Sequence, residues 1–126
     1  MSAGGKPLTG RRILVVEDDY FAASELSFAL LRHGALISGP WPDSREAIGA
    51  IDGTADSLDA AILDIELRDG DASYPIAAYL DRVGVPYLFS SASTRREIAP
   101  EYRDRPYVPK PATEAAIIKA IGQLLQ

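Results

Sequence analysis

The sequence contains no cysteine, which excludes both a disulfide framework and a thiolate metal site. Histidine occurs once, as His33, beside an expected helix end where a cation is favourable. It is assigned no catalytic role. No apolar stretch approaches the roughly 20 residues that a membrane-spanning helix requires. No apolar run of signal-peptide kind follows the opening Met1-Ser2-Ala3-Gly4-Gly5-Lys6-Pro7, so a cytoplasmic location is expected. Basic charge is not in excess: the net charge is −5, which argues against bulk nucleic-acid binding. What remains is a chain of 126 residues, enough for one domain with a core of its own. It shows no internal repeat.

Residues 1–10 are small and polar with Gly and Pro, and read as a flexible tail before a domain over 11–126. Ile13-Leu14-Val15-Val16 is a short β-branched run bounded by charge, which predicts a buried strand. Asp19 suits the cap of a helix over residues 20–33, in which Phe21, Leu26, Ala29 and Leu30 recur at helical spacing. Leu36 to Pro40 predicts a second strand. Ser44 to Ile51 predicts a helix, with Asp43 or Ser44 starting it. Asp59 to Leu63 predicts strand three, Tyr74 to Val83 helix three, and Val85 to Phe89 strand four. Residues 93–105 are charged and broken by Pro100, so any helix there is short. Pro106 to Pro109 predicts a fifth strand whose prolines suit an edge. Thr113 to Leu125 predicts a closing helix with Ile117, Ile118, Ile121 and Leu125 inward. Trp41 reads as packing. Strands alternating with helices imply an α/β fold, a parallel sheet with helices on both faces.

In such a sheet every strand's carboxyl end lies on one rim, where ligands bind. Glu17 and Asp18 follow strand one, Asp64 ends strand three, Ser90 and Ser91 follow strand four, and Lys110 follows strand five. Three carboxylates brought together repel unless a cation neutralises them. An all-oxygen donor set without His or Cys suits Mg²⁺ rather than Zn²⁺. Asp64, between a metal and a lysine, can attack a phosphoryl group, and the lysine then stabilises the charge in transfer.

These residues resemble the receiver (response-regulator) domain of bacterial two-component signalling. The resemblance spans Arg11 to Leu125. Its marks are Ile13-Leu14-Val15-Val16-Glu17-Asp18-Asp19, Leu63-Asp64-Ile65-Glu66-Leu67-Arg68-Asp69-Gly70, the strand ending in Ser91-Ala92, and Lys110-Pro111. It implies a flavodoxin-like, doubly wound five-stranded sheet of order 2-1-3-4-5. It also implies that Asp64 is the phosphoacceptor and that Mg²⁺ (or Mn²⁺) is held by Asp18, Glu17, Asp64 and the backbone carbonyl of Glu66. Lys110 would pair with the phosphoryl group. Ser91 and Tyr107 would be the switch residues, with Ser90 a pocket neighbour, and the Lys110-Pro111 peptide would be cis. The implied partners are a histidine kinase or histidine phosphotransfer protein and a downstream protein still to be identified, with no direct DNA binding and no membrane.

Three departures from the family pattern stand out. The stretch from Ser91 to Lys110 is short and contains Pro100, so the fourth helix is expected to be short or distorted. The usual signalling face is altered with it, and a monomer or weak dimer is expected. Arg68 stands where many receivers carry Pro. Phe89-Ser90-Ser91-Ala92-Ser93 resembles a subgroup with Phe-Ala-Thr-Gly-Tyr, often stand-alone. Arg95, Arg96, Arg103 and Arg105 read as a solvated loop, with contact to an acidic partner as the alternative. Tyr74-Pro75 reads as the start of helix three. Two competing functions are a Mg²⁺-dependent phosphatase with an aspartyl nucleophile and an interaction module independent of phosphorylation. The expected role is a switch, not an enzyme beyond its own phosphorylation and dephosphorylation.

Overall fold

A computed structural model describes residues 6–126. Its strands are β1 (Arg12–Val16), β2 (Leu36–Trp41), β3 (Ala60–Leu63), β4 (Tyr87–Ser91) and β5 (Tyr107–Pro109). Its helices are α1 (Tyr20–Arg32), α2 (Ser44–Ile51), α3 (Tyr74–Val83) and α4 (Glu114–Leu124). The sheet is parallel throughout, in the order β2-β1-β3-β4-β5.

Alternation along the strands divides the core into two layers. Leu14 and Val16 of β1, Leu63 of β3 and Phe89 of β4 pack with Ala47 and Ile51 of α2 and Ile76 and Leu80 of α3. Ile13, Val15, Ile62 and Leu88 pack on the other side with Leu30 of α1 and Ile117 and Ile121 of α4. Strands buried on both faces must be apolar at consecutive positions, which is why they read as unbroken runs.

Side-chain oxygens satisfy the first free N–H groups of three helices. Asp19 accepts from Ala22 N at 2.9 Å, Asp43 from Glu46 N at 2.8 Å and Thr113 from Ala116 N at 3.1 Å. At Gly39 in β2, φ is 108°, and a Cβ there would lie 2.6 Å from the Val15 carbonyl oxygen. Only glycine suits that close passage. Trp41 packs on the α2/α3 layer, and its indole N–H donates to Ser38 Oγ at 3.2 Å.

The structure sharpens the sequence expectation in three places. First, β4 runs two residues later than Val85–Phe89. The Val85 N–H is taken by the Leu80 carbonyl at 3.0 Å, and Pro86 has no N–H, so the ladder starts at Tyr87. Ser90 and Ser91 therefore lie within the strand, both buried. Second, the fourth helix, expected to be short or distorted, is reduced to two 3₁₀ turns, Arg95–Glu97 and Pro100–Tyr102. Pro100 forces Ala99 out of the helical region, to φ −53° and ψ 136°. Third, within the tail expected over residues 1–10, Leu8 packs into the core. Residues 1–5 lie outside the described residues, but Leu8 is fully buried against the α1/α4 layer and its N–H donates to the His33 carbonyl at 3.0 Å. Among the described residues no helix is long and apolar enough to cross a membrane.

Candidate functional site

The carboxyl ends of β1, β3 and β5 bring the acidic and basic groups together. The Asp64 N–H donates to the Val16 carbonyl at 2.9 Å, which extends the β1–β3 ladder one residue and stands Asp64 at the rim. The Glu17 N–H donates to the Trp41 carbonyl at 3.0 Å, and its carboxylate accepts from Asp19 N at 3.1 Å, folding the side chain over the turn. Glu17 is buried while Asp18 is exposed. One oxygen from each of Glu17, Asp18 and Asp64 lies within 4.8 Å of the others.

Lys110 completes the cluster. Its N–H is fixed on the Ser91 carbonyl at 2.9 Å, and the peptide after it, to Pro111, is cis. Its Nζ donates to Asp64 Oδ2 at 3.0 Å and to Glu17 Oε1. Burial pushes the Glu17 carboxyl above its ordinary range. The Lys110 and Asp19 hydrogen bonds offset part of this, and the Asp64 charge adds to it. Burial also works against the Lys110 ammonium, but hydrogen bonds and charge from Glu17 and Asp64 together outweigh it and hold its pKa above ordinary. Three carboxylates thus stand together with one ammonium, which is bonded to two of them, an imbalance that a cation relieves. The donors are all hard oxygens, so the residues fit a hard divalent ion. The Glu66–Ala72 bridge is closed by Leu67 N to Asp71 O and Ser73 N to Ile65 O, both at 2.9 Å. Neither bond uses the Glu66 carbonyl. The Glu66 side chain instead accepts from Ser93 Oγ at 3.3 Å.

Ser91 and Ser90 point to opposite sides of β4. Ser91 Oγ accepts from Ser93 N at 3.3 Å. Tyr107, paired with Phe89 across β4 and β5, turns its hydroxyl inward and donates to the carbonyls of Ser91, at 3.1 Å, and Ser93. Burial raises the Tyr107 pKa. Ser90 instead lines a groove of about 730 Å³ between α1 and α4. Asp64 and Lys110 also border that groove, together with Leu26, Ala29 and Ile117.

Several contributors were not evident from the sequence. Phe21 is not a core residue: it is 75% exposed and shares a stripe of α1 with Tyr20, Phe28 and Leu31, all exposed. Apolar residues on both sides of α1 conceal that stripe from a periodicity count. Arg68, where the family often has Pro, pairs with Asp43 at 2.8 Å and Glu46 at 3.3 Å. Asp71 accepts from Ser44 N at 2.8 Å. Both contacts clamp the loop after Asp64 to the start of α2. His33 joins Arg32 on Glu114, at 3.0 Å from its carboxylate. That contact ties α1 to α4 and lies outside the cluster.

Solved structures share this architecture. SdrG from Sphingomonas melonis Fr1 is 32% identical, with a TM-score of 0.79 over 95% of this chain and 98% of that one. A response regulator receiver protein from Sinorhizobium medicae WSM419 is 21% identical, with a TM-score of 0.78 over 92% of this chain and 94% of that one. The CheX-CheY-BeF3-Mg²⁺ complex from Borrelia burgdorferi contains a chain that is 16% identical, with a TM-score of 0.83 over 97% of this chain and 99% of that one. The last two establish the fold alone. No protein-family model and no curated protein matches the chain.

Proposed function

Because the chain belongs to the receiver family of response regulators, we propose that it is a phosphorylation-controlled switch whose Asp64 accepts a phosphoryl group from a histidine kinase or histidine phosphotransfer protein. The observation that carries this reading is the Lys110 Nζ to Asp64 Oδ2 contact at 3.0 Å inside a cluster of three carboxylates. Glu17, Asp18, Asp64 and the Glu66 carbonyl would hold Mg²⁺ (or Mn²⁺), which would supply the positive charge that the phosphoryl oxygens require. The Borrelia complex, with BeF3 and Mg²⁺ in its name, supports that choice.

A carboxylate oxygen of Asp64 forms the new bond to phosphorus as the donor's P–N bond breaks and the imidazole leaves with the electron pair. Lys110 stabilises the charge on the transferred group. Ser91 uses a lone pair to accept from Ser93 N, so its own hydrogen is free to donate to a phosphoryl oxygen. That bond draws Ser91 toward Asp64, and Tyr107, already bonded to the Ser91 carbonyl, passes the change to a downstream protein. The chain holds the group rather than turning over a substrate.

The donor's docking surface lies beside the site. Tyr20, Phe21, Phe28 and Leu31 expose 77%, 75%, 61% and 48% of their surface along α1. An apolar stripe of that kind accepts the apolar face of a partner helix. A Phe21→Ser/Phe28→Ser protein is expected to receive phosphoryl groups about tenfold more slowly from a phosphorylated histidine protein that labels the wild type. Its labelling by a small acyl phosphate should be unchanged, because both side chains face solvent. Equal loss with both donors, or loss with neither, rejects this docking face.

A further inference from the structure

Three of the four arginines between Ser93 and Tyr107 are occupied inside the molecule. Arg103 donates from Nε and Nη2 to the Ile98 carbonyl, at 3.2 Å and 2.9 Å, and from Nη2 to the Arg96 carbonyl at 3.1 Å. Arg105 pairs with Asp81 at 3.3 Å and lies over the rings of Tyr87 and Tyr102. Tyr102 stacks on Tyr74, with centroids 5.3 Å apart and planes 12° from parallel. The Tyr74 hydroxyl accepts from Ala99 N at 2.9 Å, and Ile98 is buried. Segment 98–105 is therefore anchored to α3 and β4 although it contains no α-helix.

Arg95 joins that anchored segment to Tyr107. Its Nη1 donates to the carbonyls of Arg103 at 2.6 Å and Arg105 at 3.2 Å. Its guanidinium carbon lies 5.2 Å from the centre of the Tyr107 ring. The Tyr107 hydroxyl meanwhile reaches the Ser91 and Ser93 carbonyls. The turn that carries Arg95 is closed by Thr94 N donating to Glu97 Oε1 at 2.7 Å. The ring thus has β4 at its hydroxyl end and a cation fixed by two carbonyls on its face. The neighbouring Arg96 side chain makes none of these contacts.

We propose that Arg95 is a positioning residue: it holds Tyr107 inward and couples the switch aromatic to the anchored segment 98–105. The proposal rests on the reading of Tyr107 as the reporter of Asp64. A guanidinium over a half-buried ring is attracted to the ring's electron-rich face. It favours whichever ring position keeps that contact. For an exposed cation–π pair the expected bias is about two- to fivefold in the ratio of inward to outward ring. Arg95 is bonded to the Arg103 and Arg105 carbonyls, so an outward ring loses the contact unless the 95–97 turn moves as well.

The test is fluorine NMR of the unphosphorylated protein carrying 3-fluorotyrosine. The Tyr107 resonance is identified by its absence from Tyr107→Phe, and the exposed Tyr20 serves as the solvent reference. Arg95→Gln should move the Tyr107 resonance toward the solvent position, corresponding to a two- to fivefold fall in the inward ratio. Arg95→Lys keeps a cation and should recover at least half of that movement. Arg96→Gln should leave the resonance in place. The Tyr87 resonance, buried below the segment, should stay fixed in every variant and shows that the fold is intact. An unmoved Tyr107 resonance in Arg95→Gln overturns the proposal. So does equal movement in Arg96→Gln, or a lysine variant indistinguishable from the glutamine one. No phosphoryl group enters this measurement, so failure of Asp64 to accept one would leave its outcome unchanged.

Discussion

Phosphoryl incorporation by the Lys110→Met protein is expected to fall about 100-fold in rate, with Asp64 itself intact. Lys110 is the only cation bonded to the Asp64 carboxylate among the described residues, at 3.0 Å. The transferred group gathers charge on its equatorial oxygens as it moves, and a positioned ammonium stabilises that charge more than it stabilises the free donor. Methionine preserves the stem volume and removes the charge. It also removes from the buried Glu17, beside Asp64, one of the two hydrogen bonds that now offset its burial. The Glu17 carboxyl should then rise further and ionise less readily. The rate is followed by mass spectrometry over time with a small acyl phosphate. A fall of less than about threefold would remove Lys110 from the transfer step.

Removing divalent cations is expected to bring incorporation to background. Three carboxylates against one ammonium leave the rim with roughly two negative charges, and the incoming phosphoryl group is itself an anion. At a separation of about 4 Å and an effective dielectric near 20, each unit pair repels by about 4 kcal/mol. One such uncompensated pair already corresponds to roughly 1000-fold in rate. Trp41, the only tryptophan, supplies the binding signal, since its carbonyl accepts the Glu17 N–H at 3.0 Å. Its fluorescence should change on titration with Mg²⁺ in the wild type. The change should need a much higher Mg²⁺ concentration in Asp18→Asn, which removes an exposed ligand without disturbing the core. Incorporation that persists in excess chelator would contradict a metal-dependent transfer.

The acidic cluster was legible in the sequence because it lies at strand ends. β1 and β3 are buried on both faces, so Ile13 to Val16 and Ala60 to Leu63 stand out as unbroken apolar runs, and the acids that end them stand out equally. Lys110 was legible only through the topology that carries the end of β5 to the same rim. Other features depended on contacts that no local pattern encodes. Leu8 is a single leucine among small and polar residues, and the His33 carbonyl that holds it comes from the end of α1. β4 starts late because the N–H of Val85 returns to α3. The arginines before Tyr107 resemble a solvated patch in the sequence. Their carbonyl and ring partners appear only after Pro100 has broken the helix and the segment has folded back on itself.

Asp64 is the acceptor on which every other role of the rim depends. The most direct measurement is peptide mass mapping of the wild-type chain and Asp64→Asn after incubation with Mg²⁺ and a small acyl phosphate. It should find one phosphoryl increment in the wild type, confined to the peptide that carries Asp64, and none in Asp64→Asn. No increment in the wild type, or one that survives in Asp64→Asn, would contradict it.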